Sequence, residues 1–212
     1  MKVAVVCPYD FGAFGGVQTV VSDLVRRLRS GGDDAFAVGP GVSADLGVDV
    51  GRAVRVPGNG SDAPIALGPM VRGRVREAVS DCDVVHVHEP LMPMTSTTAL
   101  GAGPPCVATF HAAVAPWTAR LYRALDGVGV RLLRDAALTA VSPLAMASLP
   151  DPWAPVTIIP TGIEVASFQI DAVTVPGRIV MVGRDEPRQG IDVMLSALPA
   201  IRAAHPDAEL HV

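Results

Sequence analysis

MKVAVVCPYDFGAFGGVQTVVSDLVRRLRSGG, residues 1–32, decides the fold. Val3 to Cys7 is apolar throughout and rich in β-branched residues, which predicts a strand buried on both faces. Val17, Val20, Val21, Leu24, Val25 and Leu28 then recur at helical spacing, and Gly31-Gly32 stops that helix. Tyr9 to Gln18 joins the two, with Gly15-Gly16 where the helix opens. Glycine there lets a ligand approach the backbone, and the free amides and dipole of the helix favour an anion. A plain strand-to-helix turn would look the same. The spacing is not GxGxxG, so the dinucleotide fingerprint is absent.

The strand–helix alternation continues. Ala35 to Gly39, Ala53 to Pro57, Asp83 to His88, Cys106 to His111, Leu138 to Ser142 and Val156 to Pro160 read as strands. Helical patterns cover Met70 to Val79 and about 116–134. Strands that are apolar throughout, separated by helices, imply an α/β fold: a Rossmann-like doubly wound parallel sheet, with ligands beyond the carboxyl ends of the strands. Residues 1–165 make this domain and 166–177 a linker. Residues 178–212 start a second unit, with a strand at Arg178 to Gly183, a helix at Gly190 to Ala204 and the strand AELHV. So short a segment cannot bury enough surface to stand alone and is expected to be the truncated start of a further domain.

The chain has 212 residues, half of them hydrophobic, with a net charge of −4, which argues against a nucleic-acid surface. Cys7, Cys82 and Cys106 form no CxxC pair and lie in or beside apolar runs, as expected of reduced, buried thiols. The first ten residues lack the long apolar core of a signal peptide, and no apolar run is long enough to span a membrane. A cytoplasmic protein is expected, with peripheral contact on the inner face of the plasma membrane as an option.

Several residues could carry chemistry. His86 and His88 share one face of a strand. With His111 they suggest a metal site, but no further ligand has metal spacing, and hydrogen-bonded histidines at the mouth of the sheet are the plainer reading. His111 ends its strand where ligands bind; it could donate a hydrogen bond to a hydroxyl or carbonyl, or simply cap the strand. Arg72 and Arg76 share a helix face, either solvated or against anionic lipid. In GRDEPRQG, Arg184 follows a strand and Gln189-Gly190 opens a helix, a position from which an arginine reaches a diphosphate.

The stretches VCPYDFGAFGGVQ, PGNGS, GPMVRGRV, VVHVHEP, VATFH, AVS, IIPTGIE and VGRDEPRQG run in order along nearly the whole chain. Together they resemble the family-4 glycosyltransferases of the GT-B fold, and within them the actinobacterial phosphatidylinositol mannosyltransferases. The resemblance implies two Rossmann-like domains, the first binding the acceptor and the second most of the nucleotide-sugar donor. It implies transfer of a hexose, mannose from GDP-mannose in that subgroup, with retained configuration and no resident cofactor or metal. His111 would be the catalytic histidine at the reacting sugar. Gly15, Gly16, Arg184 and Gln189 would contact the donor. Tyr9, Gln18, Asn59, Gly60 and Ser61 would contact a lipid or small-molecule acceptor. Gln189 stands where the subgroup has a lysine, Gly58 where it has a tyrosine, and Pro64 and Ala66 where it has arginines. The family's carboxylate pair in the second domain has no counterpart here. The expectation is therefore weak donor binding and slow turnover by this chain alone.

Two other functions compete. A non-catalytic binding module, completed by a partner chain, would use the apolar surface of an unfinished sheet. A nucleotide-dependent oxidoreductase lacks support, with neither GxGxxG nor an acidic residue after the second strand.

Overall fold

The computed structural model describes residues 1–58, 61–112, 120, 126–147, 149, 155–168, 173–183 and 189–212. They form β1 (Lys2–Val6), α1 (Gly16–Ser30), β2 (Asp34–Gly39), β3 (Gly47–Asp49), β4 (Ala53–Gly58), β5 (Ser61–Ala66), α2 (Pro69–Val79) and β6 (Val84–His88). After these come α3 (Thr95–Leu100), β7 (Cys106–Phe110), α4 (Asp126–Leu133), β8 (Ala136–Ala140), α5 (Pro143–Ala147) and β9 (Val156–Ile158). Seven strands pair in the order β3-β2-β1-β6-β7-β8-β9, every pair parallel. This is the doubly wound sheet that the apolar strands imply.

Alternation along β1 shows why both faces must be apolar. Ala4 and Val6 enter one core with Val71, Val75 and Val79 of α2 and Val85 and Val87 of β6. Val3, Val5 and Cys7 enter the other with Val21 and Val25 of α1. The α2 residues recur every fourth position, which lines one helix face, and Arg72, Arg74 and Arg76 are all left exposed. A third core under β7 and β8 holds Ala108, Phe110, Leu133, Leu138 and Ala145.

Ala53 to Pro57 departs from the expectation of a third central strand. It forms β4, which pairs with β5 in a separate two-stranded sheet. Val54 and Arg55 are both exposed, so it lacks the two-sided burial of a central strand. The sheet edge is taken instead by β3, three residues long. A Cβ at Gly47 would collide with the Ala37 carbonyl, so glycine permits this close pairing. Of the helix expected over 116–134, α4 is the part within the described residues.

The first compact unit is Met1–Asn59 with Ala63–Ile163; the second is Gly60–Asp62 with Glu164–Val212. The second contains a 3-10 turn (Val165–Phe168), β10 (Arg178–Val180), α6 (Ile191–Ala204) and β11 (Glu209–His211). β10 and β11 are parallel, with Arg178 opposite Glu209 and an ion pair of 3.3 Å between them. This is one βαβ unit, and α6 buries none of its side chains. Among the described residues no helix is long and apolar enough to cross a membrane.

Leu133 is 1% exposed and Leu144 is 69% exposed. Leu133→Ala is expected to cost about 2–5 kcal/mol of stability by leaving a cavity, and Leu144→Ala less than about 0.5 kcal/mol. Urea denaturation of the two variants checks this.

Candidate active site

The order β2-β1-β6 makes the β1/β6 boundary a switch point: the chain leaves β1 toward β2 on one side and later adds β6 on the other. A crevice opens beyond the carboxyl ends of the strands at such a point. The segments that leave β1, β6 and β7 on that edge carry the glycine turn, Glu89 and His111 respectively. Since β1 and β7 lie two strands apart, their ends are about 10 Å from each other.

The turn after β1 is tightly held. Asp10 receives the Gly12 N–H on its Oδ1 at 2.9 Å, and its own N–H donates to the Pro64 carbonyl at 2.9 Å. A bridge between Tyr9 and Ile65 adds a second tie to β5. Gln18 reaches back from α1, its Nε2 donating to the carbonyls of Asp10 at 3.0 Å and Ala13 at 3.2 Å. A Cβ on Gly15 would collide with that amide, so Gly15 is fixed by close approach. α1 then starts at Gly16 with no side-chain cap and no acidic residue in its first turn. Its amino end keeps the N–H groups and positive dipole that suit an anion.

Three histidines stack at the ends of β6 and β7. The rings of His86 and His88 lie 4.3 Å apart at 28°, and those of His88 and His111 4.9 Å apart at 31°. His88 Nδ1 and His111 Nε2 share a hydrogen bond of 2.6 Å. His86 Nε2 bonds Thr109 Oγ1 at 2.7 Å, and Thr109 in turn bonds Thr139 at 2.6 Å. The rings bond one another and hydroxyls, and among the described residues no group of three His, Cys, Asp or Glu is arranged to hold a metal. Burial pushes His86 and His111 down to about 4, with the charge of His111 adding to the effect on His86. His88, the most enclosed, is held well below its ordinary value by burial and by both neighbours.

Glu89 is the residue whose role the sequence does not disclose. Its Oε1 accepts the main-chain N–H groups of His111 and Ala112, each at 3.1 Å, and its own N–H donates to the Thr109 carbonyl at 2.9 Å. It is buried, with φ of 46°, in the left-handed region that a side chain enters at a cost of about 1–3 kcal/mol. Burial raises its carboxyl to about 7, while the two N–H groups pull the other way. The only sequence signal is the Glu89-Pro90 break after a strand; the partners are backbone groups of another strand and leave no spacing pattern.

Tyr9, Gly15, Gly16 and Gln18 therefore lie together at the exit of β1, and His111 lies at the exit of β7 on the same edge. Ser61 opens β5, while Asn59, Gly60 and Arg184 are outside the described residues. Gln189 belongs to the second unit, beside Gly183 and directly before Gly190, the N-cap of α6.

Comparison with known proteins gives consistent matches. Residues 14–167 match the family described as Glycosyltransferase Family 4. The chain is 36% identical over 229 residues to a phosphatidyl-myo-inositol mannosyltransferase of Mycolicibacterium smegmatis, covering 99% of this chain and 58% of that protein. It is 35% identical over 235 residues to the protein of that name from Propionibacterium freudenreichii, covering 100% and 61% respectively. The chain thus spans 58–61% of the length of these relatives. Among solved structures, one described as a UDP-N-acetylglucosamine 2-epimerase of Listeria monocytogenes aligns with a TM-score of 0.51 at 16% identity, over 100% of this chain and 63% of that one, a likeness of fold alone.

Two outcomes are expected. Gln18→Ala removes two hydrogen bonds from the turn and should cost about 1–3 kcal/mol, with faster amide exchange from Asp10 to Phe14. The second concerns pH. The three histidines stay neutral in the folded state at pH values where the unfolded chain, near 6.5, is already charged, so their contribution is lost as pH falls from about 6.5 toward 4. Glu89 acts oppositely between about 4.5 and 7, where only the unfolded state is ionised. Three groups outweigh one, so urea midpoints should fall on acidification through this window, and His86→Gln should flatten the slope.

Proposed function

Because this chain belongs to Glycosyltransferase Family 4, we propose that it forms the acceptor side of an enzyme that transfers a hexose, mannose from GDP-mannose, to a lipid acceptor bearing an inositol-phosphate head. The bond between the anomeric carbon and the diphosphate oxygen breaks, and a bond to an acceptor hydroxyl forms with retained configuration. The proton of that hydroxyl leaves with the nucleoside diphosphate. The main physical task is to stabilise charge growing on that leaving group.

The observation that supports the reading is that the Gly15-Gly16 turn follows β1 and His111 follows β7 at the carboxyl edge of one parallel sheet, on either side of the switch point. The uncapped start of α1 suits the diphosphate. In this reading His111, which is half-buried, hydrogen-bonds the sugar. Glu89 is spent on main-chain N–H groups, which leaves it unsuited to act as a covalent nucleophile. Exposed Phe14 and Met70, with the arginines of α2, support a lipid acceptor and peripheral membrane contact. In this reading the nucleotide sugar is a substrate and no resident cofactor takes part.

The test is incorporation of labelled mannose from GDP-mannose into phosphatidylinositol vesicles, alongside calorimetric titration of the chain with GDP-mannose. Weak donor binding and slow mannosylation are expected of this chain alone, with that transfer reduced at least about 100-fold in His111→Ala. Neither transfer nor saturable donor binding would reject the reading in favour of a binding module.

A further inference from the structure

We propose that His88 is a positioning residue that fixes the tautomer of His111, so that His111 carries its proton on Nδ1, the nitrogen that His88 does not engage. The constraint is the 2.6 Å bond between His88 Nδ1 and His111 Nε2. Both rings are neutral near pH 7: burial holds both down, and the charges of His86 and His111 add to the effect on His88. Two neutral imidazoles joined this way share one bridging proton, and a neutral imidazole has one donor nitrogen and one acceptor. Only two arrangements satisfy the bond. In one, His111 Nε2–H donates to His88 Nδ1, and both rings are protonated at Nε2. In the other, His88 Nδ1–H donates to His111 Nε2, and both are protonated at Nδ1.

The far side of His88 decides between them. His88 is 1% exposed, and its Nε2 is enclosed with no hydrogen-bond partner among the described residues. The first arrangement places an N–H there, and a buried donor without an acceptor is among the rarest features of folded proteins. The second leaves a bare lone pair, which buried structures tolerate more readily. The ring cannot easily turn away to relieve the conflict, because it is sandwiched between His86 and His111. Ser96 Oγ also donates to the His88 carbonyl at 2.9 Å. Glu89 holds the His111 main chain by accepting its N–H.

The enclosed histidine thus selects which nitrogen of the half-buried one bears hydrogen. His111 meets a ligand as a hydrogen-bond donor at Nδ1, not as a base. The tautomer stands independently of the transfer reading; only the use of that donor on a sugar hydroxyl rests on it.

The assignment comes from hydrogen-bond partners and is directly measurable. Long-range proton–nitrogen correlation spectra of the isotope-labelled chain, without ligand at pH 7.5, report which nitrogen of each ring is protonated. His88→Asn and His111→Gln identify the signals. The expected result is protonation at Nδ1 in both rings, against the Nε2–H form that dominates for a free neutral imidazole. His88→Asn keeps a donor at the Nδ1 position and should keep His111 at Nδ1–H; His88→Phe removes it and should return His111 to Nε2–H. Finding Nε2–H in the unmodified chain, or no change in His111 on His88→Phe, overturns the proposal. The spectra of the unmodified chain decide even if a variant fails to fold. Because no substrate is present, failure of mannosyl transfer and failure of the tautomer are separate results.

Discussion

Strand β1 is closed in from every direction: β2 and β6 pair with its edges, and a core covers each face. No position from Val3 to Cys7 can carry a charge without burying it unpaired, which in an apolar interior costs several kcal/mol. Polar chemistry is therefore pushed off the strand and onto its ends. The neighbouring strands obey the same rule with decreasing strictness. β6 keeps Val85 and Val87 fully buried but admits His86 and His88 toward its end, each ring hydrogen-bonded to a neighbour. The location of the candidate site is in this sense a by-product of how the sheet is buried.

The same burial governs what is legible in the sequence. β1 is apolar from Val3 onward and β2, β6 and β7 are mostly so because they are enclosed, and that pattern reads directly. His111 stands out because it interrupts such a run at the end where ligands collect. β3 escapes detection because three residues pairing through Gly47 have no periodicity. β4 reads as a strand of the central sheet because Ala53 to Pro57 is apolar in composition, although Val54 and Arg55 face solvent. α3 is hidden because Thr95 to Leu100 is short and β-branched, yet Thr95, Ser96 and Thr98 are buried. Gln18 and Glu89 share a further difficulty. Each acts on backbone atoms elsewhere in the fold, Gln18 on two carbonyls of the loop before it and Glu89 on two amides after β7. A side chain that serves the main chain leaves no partner residue type to search for.

The carboxyl edge is arranged to keep its titratable groups neutral. The histidines lose their charge to burial, and Glu89 is lifted toward neutrality although two N–H groups favour its ionised form. Across from them, the amino end of α1 carries a partial positive charge with nothing acidic in its first turn to offset it. A negatively charged ligand entering from the β1 side would meet that field undiminished by fixed countercharges on β6 and β7.

Without Glu89, hydrogen bonding between β6 and β7 would stop where the strands part, and the chain after β7 would have the freedom of an ordinary loop. The carboxylate instead splices the seam: it supplies, from a side chain, the acceptor that a longer β6 would have offered to His111 and Ala112. The sheet's stiffness is thereby carried past its last rung, and His111 inherits the positional precision of a strand while standing outside one.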